Sequence, residues 1–532
     1  MNYPSIFNDV LGPVMRGPSS SHCAASLRIG RICRDLMDGD IQNVVVRYDP
    51  NGSLATTHKS QGSDMGLFGG LLGWAADDER LPHYQHGIAE AGIDIRILIE
   101  DIRADHPNTY KVALFNDREM RELTAISTGG GMIEVVEIDG SPVSMAGDFF
   151  ETLVYTESAA KVLAYLRATV DCDALEVSAG RTRFIEIKSQ AFLPDNIRKE
   201  LLAMEEVRFI KQLNPVLPVM SRKNLRVPFI TCAEMLEYNR GKDLALWQLA
   251  VHYESARGNL SHEAVYERMR DLVGIMRTSI QQGLKGTRYE DRILGCQSAG
   301  FQAKMDSGQL VGGDVLNRII LFVTSMMEMK SSMGVIVAAP TAGACGALPG
   351  AVLGAVSALG LSEDDSIKAM LAAGMIGVFI SAHATFAAEV GGCQAECGSG
   401  SGMAAAAIVG LAGGSLDQAL SASSMALQNS LGMICDPIAN RVEAPCLGRN
   451  IMAASNALSC ANIALADYNA LIPLDQVVET MDQVGKSIAH ELRCTALGGL
   501  SITKASLEIE ARLNALSGAE ELDLAARKFK IC

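Results

Sequence analysis

The chain has 532 residues, enough for two to four domains at roughly 100–200 residues each. Hydrophobic residues make up 48 % and charged residues 20 %, which excludes a disordered chain, and 46 basic against 61 acidic residues leave a net charge of −15, which argues against nucleic acid as a partner. With 50 Gly and 24 Met but only 5 % aromatic residues, the core must be built from small and flexible side chains, so that helices and loops approach closely.

The first residues, MNYPSIFNDV, lack the basic and apolar regions of a signal peptide, so a cytoplasmic protein with free thiols is expected. Residues 1–150 mix strand-like runs (Val44–Tyr48, Ile93–Ile99, Tyr110–Phe115, Ile133–Ile138) with helical stretches such as Ala24–Met37 and with a Gly-rich loop at Ser127–Gly131, an α/β or α+β pattern. Residues 151–217 read as strand, helix, two strands across a turn at Gly180, helix and strand. That order is β-α-β-β-α-β, the ferredoxin-like pattern. A Pro-rich basic linker at 218–228 precedes a mostly α-helical region from 229 to 532, where Glu234–His252, Glu263–Gln282 and Val315–Met329 are amphipathic. Ser332–Ser362 and Leu371–Ala388 carry no formal charge and are long enough to span a bilayer. They are Gly- and Ala-rich, Pro340 and Pro349 interrupt the first, and no Lys/Arg-rich flanks orient them, so buried helices of a core are expected and no membrane.

The thirteen cysteines are mostly expected to be small buried hydrophobes. Three stand apart in Gly/Pro-rich surroundings: Cys393 in GGCQAECGS, Cys435 in NSLGMICDP and Cys446 in APCLGRN. Taken alone they are as consistent with core thiols as with metal ligands, because no second close Cys/His pair completes a zinc ribbon and no ferredoxin run is present. No lysine lies in the S-x-K-x-R-G context of pyridoxal-phosphate dehydratases.

The 42- and 11-position steps from Cys393 to Cys435 to Cys446 resemble the C-x41-C-x10-C signature of the iron–sulfur-dependent L-serine dehydratases (L-serine ammonia-lyases). SSMGVIVAAPTAGACGALPGAV is similar to that family's APTAG loop, and Gly17-Pro18-Ser19-Ser20-Ser21-His22 followed by RIGR resembles its substrate loop and helix. The resemblance covers nearly the whole chain. It implies a substrate-binding domain at 1–150, an ACT-like domain at 151–217 and a catalytic domain at 229–532. It further implies a [4Fe–4S] cluster held by Cys393, Cys435 and Cys446, and a pocket lined by Ser19, Ser20, Ser21 and His22 at the boundary of those domains. Ser63, Asp64, Thr341, Gly343, His383, Glu389 and Arg449 are further candidates for substrate binding, and Cys532 for a resting fourth ligand. Cys345 and Cys397 have no slot in the signature and read as buried thiols.

The implied reaction converts L-serine to pyruvate and ammonia in a homo-oligomer. Two departures bear on the substrate: Cys23 replaces the usual Thr after the loop histidine, and Ser60-Gln61-Gly62-Ser63-Asp64 lacks the family's histidine. The alternatives are a related cluster-dependent dehydratase for another β-hydroxy amino acid or hydroxy acid, and a non-catalytic metal- or thiol-binding regulator on the same fold.

Overall fold

The structure, a computed structural model, describes residues 3–59, 61–289 and 292–517. Cys532 lies outside the described residues, and the last described helix spans Lys504–Ser517. Two compact units form. One comprises Ser21–Leu225, and the other joins the segment up to Ser20 to everything from Arg226 on.

In the first unit, a six-stranded sheet is built from β2 (Asn43–Tyr48), β3 (Asp94–Ile99), β4 (Thr109–Phe115), β5 (Met120–Gly129), β6 (Met132–Ile138) and β7 (Ser141–Met145). Its order is β3-β2-β4-β5-β6-β7, and only β2 and β3 run parallel. Alternation sets the faces. Val44, Val46 and Tyr48 point into the core while Asn43, Val45 and Arg47 point away. The helices Ala25–Leu36 and Ser63–Leu71 cover the inner face with Ile29, Ile32, Leu36 and Leu67. They touch through glycines: a Cβ on Gly30 would lie 2.2 Å from the Leu67 carbonyl oxygen, and one on Gly70 2.3 Å from that of Leu27. The expected Gly-rich loop at Ser127–Gly131 is the end of β5 and a turn into β6, where Gly129, Gly130 and Gly131 all have positive φ.

The next six elements have the expected β-α-β-β-α-β order. They are β8 (Phe150–Thr156), Ala159–Thr169, β9 (Ala174–Ala179), β10 (Arg183–Ser189), Asp195–Leu202 and β11 (Val207–Leu213). Their sheet order is β11-β8-β10-β9, antiparallel throughout. One face gives Leu153, Tyr155, Phe184 and Leu213 to the core of the larger sheet. The other buries Val154, Ile185 and Ile187 under helix residues Val162, Leu166 and Leu201.

The second unit is helical. Glu363–His383 and Ser399–Leu411 are buried along most of their length. Glu363–His383 is long and apolar enough to cross a membrane by length and composition, and 78 % of its apolar window is buried inside the protein. Ala347–Leu359 packs on Asp314–Ser331 through Gly350 and Gly354, where a Cβ would meet Val323 and Ile319 within 2.8 Å. The chain's first segment belongs here too. Ile6 N–H donates to Glu254 Oε2 (2.8 Å), Tyr253 OH donates to the Pro4 carbonyl (2.8 Å), and β1 (Val14–Arg16) pairs antiparallel with β12 (Val335–Val337).

Candidate functional site

In the helical unit, Ala388–Gly391 ends at Gly392, whose φ of +70° and close approach to the Met433 carbonyl need glycine. Cys393 follows and leads into a π-helical turn, Gln394–Gly398, at the foot of Ser399–Leu411. The buried Gln394 pins this turn to the Cys435 segment. Its backbone N–H donates to the Met433 carbonyl (3.0 Å), its Oε1 accepts from Gly432 N–H (2.8 Å), and its Nε2 donates to the Met481 carbonyl (2.7 Å). Cys435 is held by backbone bonds to the 492–494 segment, and Cys446 opens the helix Cys446–Leu465 behind Pro445.

Cys393, Cys435 and Cys446 are 1 %, 3 % and 5 % exposed. The ligand atoms of Cys393, Glu396 and Cys435 lie within 4.8 Å of one another. Hydrogen bonds from Cys397 and Cys435, with the Arg449 guanidinium beside it, hold the Cys393 thiol well below its ordinary range. The Cys435 and Cys397 thiols are pushed up by their contact with Cys393 and by burial. Burial pushes Cys446 up to about 12, against the pull of Lys330 and Arg449. A thiol eased toward ionisation thus sits among thiols held toward protonation, out of water, with Lys330 and Arg449 near. This donor set fits a soft, thiolate-bound metal group, since metal binding displaces the thiol protons.

Around the thiols, Arg449 Nη1 donates to Cys393 Sγ (3.5 Å) and Nη2 to Asp436 Oδ1, while Asp436 Oδ2 accepts from Leu500 N–H (2.7 Å). Thr341 Oγ1 donates to Glu396 Oε1 (2.5 Å). A Cβ on Gly343 would fall 2.8 Å from Glu396 Oε1, so a side chain there would displace the Glu396 carboxyl. Burial, and then the Cys393 charge, push the Glu396 carboxyl up to about 8. Burial also raises the half-buried Glu389. His383 is an exposed helix end whose Nε2 meets the Ile230 carbonyl (3.1 Å) rather than a thiol-site residue.

The serine loop runs across the point where the chain passes from one unit to the other. On the helical side, Gly17 rests on Lys330: a Cβ would fall 2.0 Å from the Lys330 carbonyl oxygen. The fully buried Lys330 ammonium donates to the Val442 carbonyl and lies close enough to Glu396 and Cys446 to lower both of their pKa values. In the sheet unit, the Ser21 carbonyl accepts from Ser127 Oγ (2.7 Å) and His22 Nε2 meets Thr57 Oγ1 (3.1 Å). Burial lowers His22 to about 4, so its imidazole is neutral at pH 7. Asp64 accepts from His58 Nδ1 (2.8 Å), and Ser63 Oγ accepts from Tyr110 OH (3.0 Å).

Cys397 is a buried thiol, as expected, and its four-residue spacing from Cys393 brings the two together. Several other residues escaped the sequence reading. His58, three residues before Gln61, gives this segment an imidazole held by Asp64. Asn450 is fully buried, donating to the carbonyls of Gly343 (2.9 Å) and Cys446 (2.8 Å) and accepting from Ala347 N–H (2.9 Å). Cys494 and Lys330 carry no motif at all.

The family model described as Serine dehydratase alpha chain matches residues 241–501, which include all three signature cysteines. The chain is 34 % identical over 285 residues to the Probable L-serine dehydratase, alpha chain, of Bacillus subtilis, covering 54 % of this chain and 95 % of that protein. It is 36 % identical over 218 residues to the Probable L-serine dehydratase, beta chain, of the same organism, covering 39 % and 96 %. L-serine dehydratase 1 of Escherichia coli aligns over 497 residues at 27 % identity, covering 91 % and 96 %. These alignments account for nearly the whole length, and the chain belongs to the iron–sulfur-dependent L-serine dehydratase family of lyases.

Proposed function

We propose that this chain is a [4Fe–4S]-dependent L-serine ammonia-lyase, with Cys393, Cys435 and Cys446 as cluster ligands. The observation that carries the reading is the buried, cation-flanked thiol group in a chain of this family. When bound, the cluster supplies a Lewis-acidic iron that makes the β-hydroxyl of serine a better leaving group.

The remaining work falls to the protein. Arg449, tied to both Cys393 and Asp436, offers a fixed cation for a carboxylate. Glu396, held by Thr341 and pushed up to about 8, offers a carboxyl beside the thiols suited to hydrogen bonding with substrate rather than to ion pairing. Ser19, Ser20, Ser21 and His22 are assigned to substrate binding, with Ser63 and Asp64 beside them in role. His22 is a neutral imidazole, suited to hydrogen bonding rather than to ion pairing. His58 is a second oriented imidazole, positioned by Asp64 through Nδ1. Removal of the α-proton and loss of water give aminoacrylate, which tautomerises to the imine and is hydrolysed to pyruvate and ammonia.

We assign residues 1–150 to substrate binding, 151–217 to an ACT-like regulatory or dimerisation module and 229–532 to catalysis, in a cytoplasmic homo-oligomer. The β-α-β-β-α-β order supports the middle assignment. A zinc-binding regulator is the second reading, because Cys393, Glu396 and Cys435 are a compact donor set that zinc also accepts.

The test is a steady-state assay on anaerobically purified protein with L-serine, L-threonine and other hydroxy acids. Pyruvate from L-serine, abolished by Cys435→Ser, is expected. An intact cluster with no turnover of L-serine would contradict the serine assignment, and turnover of another substrate would name the related dehydratase instead.

A further inference from the structure

We infer that Cys494 is a fourth thiolate ligand of the metal centre, entering from the Cys435 side. This rests on the cluster reading above and goes beyond the three-cysteine signature, which has no slot for it. Cys494 is 8 % exposed and packs with Cys393, Cys435 and Ala388 into one buried group under Met433. Its thiol lies beside the Cys435 thiol. The contact does not depend on a wandering side chain. Cys435 N–H donates to the Leu492 carbonyl (2.8 Å), Cys494 N–H donates to the Cys435 carbonyl (2.8 Å), and Cys435 bridges Arg493 in parallel. Backbone pairing therefore fixes the 492–494 segment alongside Cys435.

The loop carrying Cys494 is itself tied down. Thr495 Oγ1 donates to the His490 carbonyl (3.1 Å), and Leu500 N–H donates to Asp436, the residue after Cys435. Cys494 takes a φ of +61°, a conformation that favours glycine, yet the position holds a thiol. On binding, the Sγ–H proton leaves to solvent as the sulfur–metal bond forms, so no oxidant is involved. A fourth thiolate would occupy the iron that three cysteines leave open, so the resting centre would be fully sulfur-ligated.

Mössbauer spectroscopy of the full-length protein, purified anaerobically with isotopically enriched iron and without substrate, tests this. Cys494→Ala, Cys494→Ser and Cys532→Ala are compared with the wild type. The expected result is wild-type iron that is all sulfur-ligated. Both Cys494 variants should keep about four irons per chain, with one in four moved to an oxygen-ligated environment. Cys532→Ala should match the wild type. Spectra unchanged in the Cys494 variants overturn the inference, and so does a shift confined to Cys532→Ala. A Cys435–Cys494 disulfide in the anaerobic protein, or loss of all iron from both Cys494 variants, overturns it as well. A wild type without iron would instead refute the cluster reading itself.

Discussion

Asn450 shows how much one buried amide organises. It joins the Gly343 loop, the Cys446 helix start and the Ala347 helix start through hydrogen bonds of 2.8–2.9 Å, and its Nδ2 also reaches Cys397 Sγ (3.6 Å). Asn450→Ala strands a buried carbonyl and a buried N–H. The expected cost is about 2–4 kcal/mol, read as a lowered thermal midpoint, with a parallel fall in iron retained on purification. Glu254, also fully buried, is pushed by that burial up to about 7 from an ordinary 4.5, despite its bonds to Ser5 Oγ and Ile6 N–H. The sign follows from linkage. Below pH 4.5 the carboxyl is protonated in both folded and unfolded chains. Between 4.5 and 7 the unfolded chain ionises first, so stability falls as pH rises, by about 3 kcal/mol in all. Glu254→Gln should remove that part of the decline in urea midpoints measured from pH 4.5 to 7.5. His22 acts with the opposite sign: its folded pKa of about 4 means stability is lost as pH falls from 6.5 toward 4.

At the scale of elements, glycine placement separates two kinds of helix position. In Glu363–His383, a Cβ on Gly377 would lie 2.1 Å from Val10 Cγ1, and one on Gly374 2.7 Å from Ile6 Cγ2, so this helix is the bed of the N-terminal segment. In Ser399–Leu411, a Cβ on Gly410 meets nothing within 4 Å. Gly377→Ala is expected to destabilise by about 1–3 kcal/mol and to free the first residues for limited proteolysis. Gly410→Ala should stabilise by up to about 1 kcal/mol through helix propensity. Thermal midpoints of the two variants, moving in opposite directions, check the argument.

The elements also show what sequence patterns can carry. Strands such as Val44–Tyr48 and the whole 150–213 succession were legible because alternation and turn residues mark them locally. The Cys393, Cys435 and Cys446 spacing was legible because the resemblance preserves long intervals. The attachment of β1 to β12 was not legible, since a three-residue pairing across more than 300 positions leaves no local trace. The same holds for Cys494 and Lys330, which reach the thiol group only through the folding of distant loops. The helix expected over Glu234–His252 is two, Cys232–Asn239 and Leu246–Gly258, with Asn239 accepting from Leu244 N–H in the break.

For the whole molecule, the aromatic-poor composition has a structural consequence. Close glycine contacts bring helix to helix in both units, and in the helical unit small residues gather around Cys393, Cys397, Cys435 and Cys494. Measuring iron and acid-labile sulfide per chain in anaerobically purified protein, wild type beside Cys435→Ser, tests the central claim most directly. About four irons and four sulfides in the wild type, lost in the variant, are predicted. A colourless wild type holding zinc, or iron content unaffected by Cys435→Ser, would contradict it.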